Sequence, residues 1–223
     1  MAMSSAPLPR MDRPDAEIVL VSRRFVGDRD RQKAAVESIM AHWSTLRLPA
    51  EFRSLSCFES IDGEHVMTVS QWADESSFDE FSKAHPPLPI PGVETQADVG
   101  RLRPQVFRRY RSNTSGGTEE AVCVVTPVFD VDGPERQRQA VDALLDGPLG
   151  ESFPGLKAMH FHLSTDGVHV LNYAEWTSAD AHRAFLESEL SNQAFATLQG
   201  LGGVRGLGGK AYVLHNQLTG PAS

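Results

Sequence analysis

Asn172, Trp176 and His182 have the residue types and the spacing to do chemistry together. Asn172 and Trp176 stand four apart in an alternating stretch. On a strand they share one face with Val168, Val170 and Ala174, while His169, Leu171, Tyr173 and Glu175 share the other. An amide on an otherwise apolar face needs partners, because leaving it buried and unpaired costs about 1–3 kcal/mol. Neighbouring backbone can supply them. So can a substrate oxygen or a nascent carbanion held in a dry pocket. His182 follows in a helical stretch, and imidazole titrates near neutral pH and serves as a general base. A lone inward histidine is also a common, satisfied core residue, so both readings stand at this level.

An internal comparison separates this trio from its surroundings. The stretch SIDGEHVMTVSQW, ending at Trp72, recurs as STDGVHVLNYAEW, ending at Trp176, 104 residues later. At the same offset Thr68 stands for Asn172 and Phe78 for His182. One half thus holds an amide, an indole and an imidazole where the other holds a hydroxyl, an indole and a phenyl ring. That pattern suggests one working site and one structural copy. Tyr173, Phe185 and Trp72 join as candidate substrate contacts. His160 and His162 alternate on the adjacent strand, but no carboxylate or thiol is spaced to complete a metal site with His169. There is no nucleophile elbow, no CxxC and no phosphate-binding loop.

The elements that must position these residues follow from periodicity. Glu17 to Val26 reads as a strand, and Asp28 or Asp30 then caps a helix whose Val36, Ile39, Met40 and Trp43 form one stripe. Phe52 to Ser60 and Glu64 to Trp72 are strands joined at Asp62-Gly63, a strong hairpin signal. Asp74 caps a helix carrying Phe78 and Phe81, which His85-Pro86-Pro87 ends. Val99 to Tyr110 supplies a last strand. This order, strand–helix–strand–strand–helix–strand, is that of a ferredoxin-like unit. The second half replays it: strand Ala121 to Phe129, a helix opened by Gly133-Pro134, strands Lys157 to Leu163 and Val168 to Trp176, and a helix capped by Ser178. The stretch Gly200 to Gly209 reads as a mobile connection to a final strand, Lys210 to Asn216.

The expected organisation is therefore a disordered tail over residues 1–15, ferredoxin-like domains over 16–111 and 119–219, and a Ser/Gly linker over 112–118. A chain of 223 residues holds two such domains comfortably. The net charge of −8 argues against a general nucleic-acid binder, which needs a basic face. No apolar run reaches the ~18 residues of a membrane span, and no signal peptide is evident, so a cytoplasmic protein is expected. Cys57 and Cys123 occupy non-equivalent positions in apolar runs and read as buried free thiols.

Two ferredoxin-like halves, each with a hairpin and a tryptophan-ended strand before an acidic helix, resemble the antibiotic biosynthesis monooxygenase family. More broadly they resemble the dimeric α+β barrel superfamily. Pro154-Gly155, and Trp176 followed by a helix carrying Phe185, are the best local signatures. The resemblance implies an α+β fold of two antiparallel-sheet domains packed as an intramolecular barrel, with a homodimer also possible. It implies a cavity between each sheet and its own helices. Some members oxidise aromatic polyketide intermediates with molecular oxygen and no metal or flavin, and there an asparagine and a tryptophan four residues later are implicated in the site. Asn172 and Trp176 match that pattern; Thr68 and Trp72 lack its asparagine. Haem-degrading relatives carry a histidine about ten residues after their strand tryptophan, where this chain has Ser82 and Leu186, so haem is disfavoured. The implied activity is cofactor-independent oxygenation of an aromatic phenol or anthrone, with a small aromatic substrate and oxygen as partners. A non-oxidative polyketide cyclase and a non-catalytic binding or scaffold protein are the alternatives.

Overall fold

The computed structural model describes residues 7–85, 104–115 and 118–221. In chain order its elements are β1 (Ile18–Phe25), α1 (Arg29–Thr45), β2 (Phe52–Ser60), β3 (His65–Trp72), α2 (Glu75–Ala84), β4 (Gln105–Thr114), β5 (Cys123–Val125), β6 (Val128–Val131), α3 (Pro134–Leu145), β7 (Leu156–Ser164), β8 (His169–Trp176), α4 (Ala179–Leu186), α5 (Glu189–Leu201), β9 (Val204–Gly206) and β10 (Ala211–Thr219). The fold class is α+β with antiparallel sheets, as expected. No helix among the described residues is long and apolar enough to cross a membrane.

The caps read from sequence are in place. Asp28, Asp74 and Ser178 each accept from the backbone N–H three residues on, at 2.9, 2.8 and 3.0 Å, satisfying donors that the first turn leaves free. Pro134 opens α3 where its missing N–H does no harm.

The chain forms two compact units, Met1–Val106 with Tyr212–Ser223, and Phe107–Ala211. In the first, β3 pairs with β1 and β2, and β10 pairs with β2. In the second, β8 lies between β7 and the short strands β5 and β6; β4 pairs with β7, and β9 with β6.

These units differ from the expected domains in the strand that completes each. The strand following α2 in the chain belongs to the second unit, and the chain's last strand returns to the first. Ser112, Asn113 and Thr114, taken as linker from their composition, are strand residues opposite His160, Met159 and Ala158. Gly116 and Gly117 lie outside the described residues, as do residues 1–6 and the first part of the expected strand, Val99 to Arg103. Residues 7–15 are not a free tail. Met11 is buried, and Gln71 Nε2 donates to the Arg10 carbonyl at 3.0 Å. The expected strand over Ala121 to Phe129 breaks at Thr126-Pro127, since proline has no N–H to continue a ladder. Within the glycine-rich connection, Val204–Gly206 is paired strand.

One device repeats in both units. Gln32 Nε2 donates to the carbonyls of Ser60 and His65, at 3.0 and 2.8 Å, so a buried helix glutamine spans the mouth of the β2–β3 hairpin. Gln137 Nε2 does the same to Ser164 and His169, at 3.2 and 2.7 Å. Gln32 and Gln137 thus hold the same place in the two units. At the hairpin turns Gly63 and Gly167 both have φ of 83°, a conformation that disfavours a Cβ.

Candidate active site

β8 sets the geometry of the second unit. Its alternation turns Val170, Asn172, Ala174 and Trp176 toward α3, α4 and α5. There Val141, Leu144, Phe161, Ala194 and Leu198 bury Val170, Ala174 and Trp176 in one apolar core. Phe161 stands opposite Asn172 in the β7–β8 ladder. Asn172 is 7% exposed and Trp176 2%. The Asn172 Oδ1 acceptor and the Trp176 Nε1–H donor are both buried without a hydrogen-bond partner. The Asn172 backbone N–H is satisfied, donating to the Pro127 carbonyl at 3.0 Å where the first strand breaks.

The first unit shows what a satisfied version looks like. Trp72, fully buried, donates from Nε1 to Ser70 Oγ at 3.1 Å. The residue at the Ser70 position in the second unit is Ala174, which has no acceptor to offer. The indole of Trp72 is therefore closed into its core, and that of Trp176 is left with a free donor. Sequence reading missed this contrast because it compared the fourth position before each tryptophan and not the second.

His182 is brought to Trp176 as expected. Their rings are 5.3 Å apart at 69°, almost the 5.5 Å and 68° of Phe78 on Trp72. Burial pushes the His182 pKa below its ordinary 6.5, so the ring is neutral at neutral pH and able to accept a proton. Phe185 packs on Trp176 at 5.5 Å. Phe153, not singled out from sequence, packs edge-on against both Trp176 and Phe185, at 6.2 and 5.3 Å. Its signal was its place immediately before Pro154-Gly155.

Two expected contacts are not brought to this cluster. Tyr173 points to the opposite face of β8, fully buried, 6.4 Å from the His160 ring; burial pushes its phenol pKa up, keeping it neutral. Adjacent positions on a strand face opposite ways, so Tyr173 and Asn172 cannot line one pocket. Trp72 belongs to the core of the first unit. The histidines of β7 are also on the far face. His160 is hydrogen-bonded through Nδ1 to Ser112 Oγ at 2.9 Å, and the buried His162 donates from Nδ1 to the His160 carbonyl at 2.9 Å. Among the described residues, the metal-type donors that come within 4.8 Å of one another belong to Asp62, Glu64 and His65, at the first hairpin turn. Cys57 and Cys123 are buried and not joined in a disulfide, and burial pushes the Cys57 thiol up to about 12, too high to act as a nucleophile.

A cavity of about 140 Å³ lies in the first unit, between its sheet and its helices α1 and α2. Thr68 and Ser70 of β3 form part of its floor, and Trp43, Phe78 and Phe81 are among its walls.

No protein-family model matches the chain. Over 59 residues, 26% of its length, it is 44% identical to the tetracenomycin-F1 monooxygenase of Streptomyces glaucescens; the chain spans about half the length of that relative, 52%. Its fold is similar to that of an anthrone oxidase-like protein, with a TM-score of 0.73 at 18% identity, covering 92% of this chain and 94% of that one. It is also similar to a ferredoxin-fold protein from Listeria monocytogenes related to antibiotic biosynthesis monooxygenases, with a TM-score of 0.52 at 10% identity over 93% and 99% of the two chains. Over most of its length the chain thus has the fold of ferredoxin-fold proteins related to antibiotic biosynthesis monooxygenases, and over that 59-residue stretch its sequence is similar to one monooxygenase.

Proposed function

We propose that the chain is a cofactor-independent monooxygenase acting on an aromatic, polyketide-like phenol or anthrone, and that its second unit is the reacting half. The observation that carries this is the pair of unpartnered polar atoms on one face of β8, the acceptor Oδ1 of Asn172 and the donor Nε1–H of Trp176. A fold that leaves both unsatisfied forgoes about 1–3 kcal/mol for each, which a ligand with complementary groups returns. A phenolic O–H matches Asn172 and a ring ketone matches Trp176. Four residues along a strand span about 13 Å, a separation suited to a fused polycycle rather than to a single ring.

The chemistry follows from those contacts. Neutral His182 takes a proton from the activated C–H of the substrate. Trp176 Nε1–H stabilises the oxygen on which the negative charge collects. The anion gives one electron to molecular oxygen, and the substrate radical and superoxide join in a C–O bond as a peroxide anion, which takes the proton held by His182 to become a hydroperoxide. His182 then removes the second hydrogen of the same carbon as the O–O bond breaks, leaving a new carbonyl. One oxygen atom stays in the product and the other departs as hydroxide, which that second proton converts to water. The electrons come from the substrate itself, so the scheme is closed without a further reductant. The resemblance to the tetracenomycin-F1 monooxygenase supports this reading.

Oxygen uptake by chelator-treated, full-length protein across a panel of anthrones and naphthols tests it. Turnover with one label from ¹⁸O₂ in the product is expected, with loss of turnover in Asn172→Thr and His182→Phe. No uptake across the panel would sink the proposal, and turnover without oxygen would favour cyclisation.

A further inference from the structure

The wall of the cavity in the first unit carries a charge that no described residue balances. β1 lines it with Leu20, Ser22 and Arg24, which alternate onto the helix-facing side of the sheet. Arg24 is half-buried and, among the described residues, has neither a hydrogen-bond acceptor nor a carboxylate partner. Burial lowers its pKa from the ordinary arginine value, and no neighbouring carboxylate raises it again. Arginine stays charged regardless, so a guanidinium remains at the wall of a largely apolar cavity. Other arginines of the chain are paired: Arg13 and Arg53 with Asp15, Arg111 with Asp142 and Asp146, and Arg205 with Asp130 and Asp132. In a chain of net charge −8, an unpaired, half-buried cation is the exception.

The rest of the cavity grades from apolar to polar along β1. Leu20 stands opposite Ser70 in the ladder, Ser22 opposite Thr68, and Arg24 opposite Val66. Trp43, Phe78 and Phe81 from the helices join this lining. At about 140 Å³ the space is comparable with the engineered cavity of about 150 Å³ that accepts one benzene ring. Aromatic walls, hydroxyls from Ser22 and Thr68, and one free guanidinium together describe a ligand with a single aromatic ring and an anionic group.

We infer that the first unit is a binding site for a monocyclic aromatic carboxylate, its ring held among Trp43, Phe78 and Phe81 and its carboxylate held by Arg24. This site is separate from the cluster around Trp176. The first unit is then a binding half in its own right and not only a structural copy of the second.

Isothermal titration calorimetry of the full chain with salicylate, and with salicylamide as its uncharged counterpart, tests this. Salicylate is expected to bind one-to-one, at least about tenfold more tightly than salicylamide, the difference a charge-assisted bidentate pair provides. Arg24→Gln should bring salicylate down to the affinity of salicylamide, and Arg24→Lys should retain part of the preference. The double variant Asn172→Thr, His182→Phe should bind salicylate as the parent does, even if it abolishes oxygen uptake. Circular dichroism melting confirms that each variant is folded. Failure of both compounds to bind would overturn the inference. So would equal affinity for the acid and the amide, an acid preference that survives Arg24→Gln, or loss of salicylate binding in the second-unit double variant.

Discussion

Exchanging Ser70 and Ala174 tests whether the two tryptophans differ by one hydrogen bond. In Ser70→Ala the fully buried indole of Trp72 loses the acceptor it meets at 3.1 Å. A buried donor left unpaired costs about 1–3 kcal/mol, and the lost hydroxyl leaves too small a void to add much. Ala174→Ser does the reverse. It places a hydroxyl at the equivalent position below Trp176, where the environment is equally buried, 3% exposed at Ala174. The new bond contributes about 1 kcal/mol, offset in part by one extra atom in a packed core, so stability should rise by up to about 1 kcal/mol. The same hydroxyl occupies the donor proposed for substrate. Turnover (kcat/KM) should therefore fall, by about tenfold for every 1.4 kcal/mol of lost transition-state binding. Urea unfolding monitored by tryptophan fluorescence and circular dichroism reads the first effect, and oxygen uptake the second. A cycle with Trp72→Phe isolates the pair, because Ser70→Ala should cost little once the indole N–H is gone. If Ser70→Ala is neutral and Ala174→Ser destabilises, the asymmetry is not a hydrogen bond and the argument for Trp176 loses its basis.

Burial, and then the charge of His160, hold the pKa of His162 down to about 3, against an ordinary 6.5. The neutral ring is the folded form, so its stability is intact above pH 6.5 and is lost as pH falls toward 3; this interval corresponds to about 5 kcal/mol. His162→Phe should flatten that acid limb in urea melts, and an unchanged limb would contradict it. The catalytic pH profile should fall on the acid side with a midpoint below 6.5, since His182 must be neutral to accept a proton, and His182→Gln should remove that limb. Gln137→Leu removes the side-chain donor from the carbonyls of His169 and of Ser164, the latter keeping the Gly167 N–H at 3.1 Å, and should cost about 1–3 kcal/mol by chemical denaturation. Gly155→Ala forces a Cβ to 2.5 Å from Ala181 Cβ at a φ of +82°, so a loss of about 2–5 kcal/mol is expected. Because Ala181 adjoins His182, turnover should drop with it.

The duplicated hairpin, the helix caps and the inward face of β8 were legible from residue order, because each depends on neighbours a few positions away. Alternation alone placed Asn172 with Trp176 and set Tyr173 against them, and the 104-residue offset placed His182 where Phe78 packs. What remained hidden depends on which strand lies beside which. A strand's pattern encodes its faces but not its neighbour. The polar run at Ser112 to Thr114 therefore looked like a linker, until its pairing with β7 made it strand. The return of β10 to β2 is equally non-local. Satisfaction of a buried group is likewise a property of three dimensions. Ser70 and Ala174 are unremarked small residues in sequence, and only packing shows that one completes an indole hydrogen bond and the other withholds it. Arg24 reads as an ordinary basic residue near a strand end. Only the tertiary structure shows that α1 and α2 leave a cavity over it and that, among the described residues, no carboxylate pairs with it.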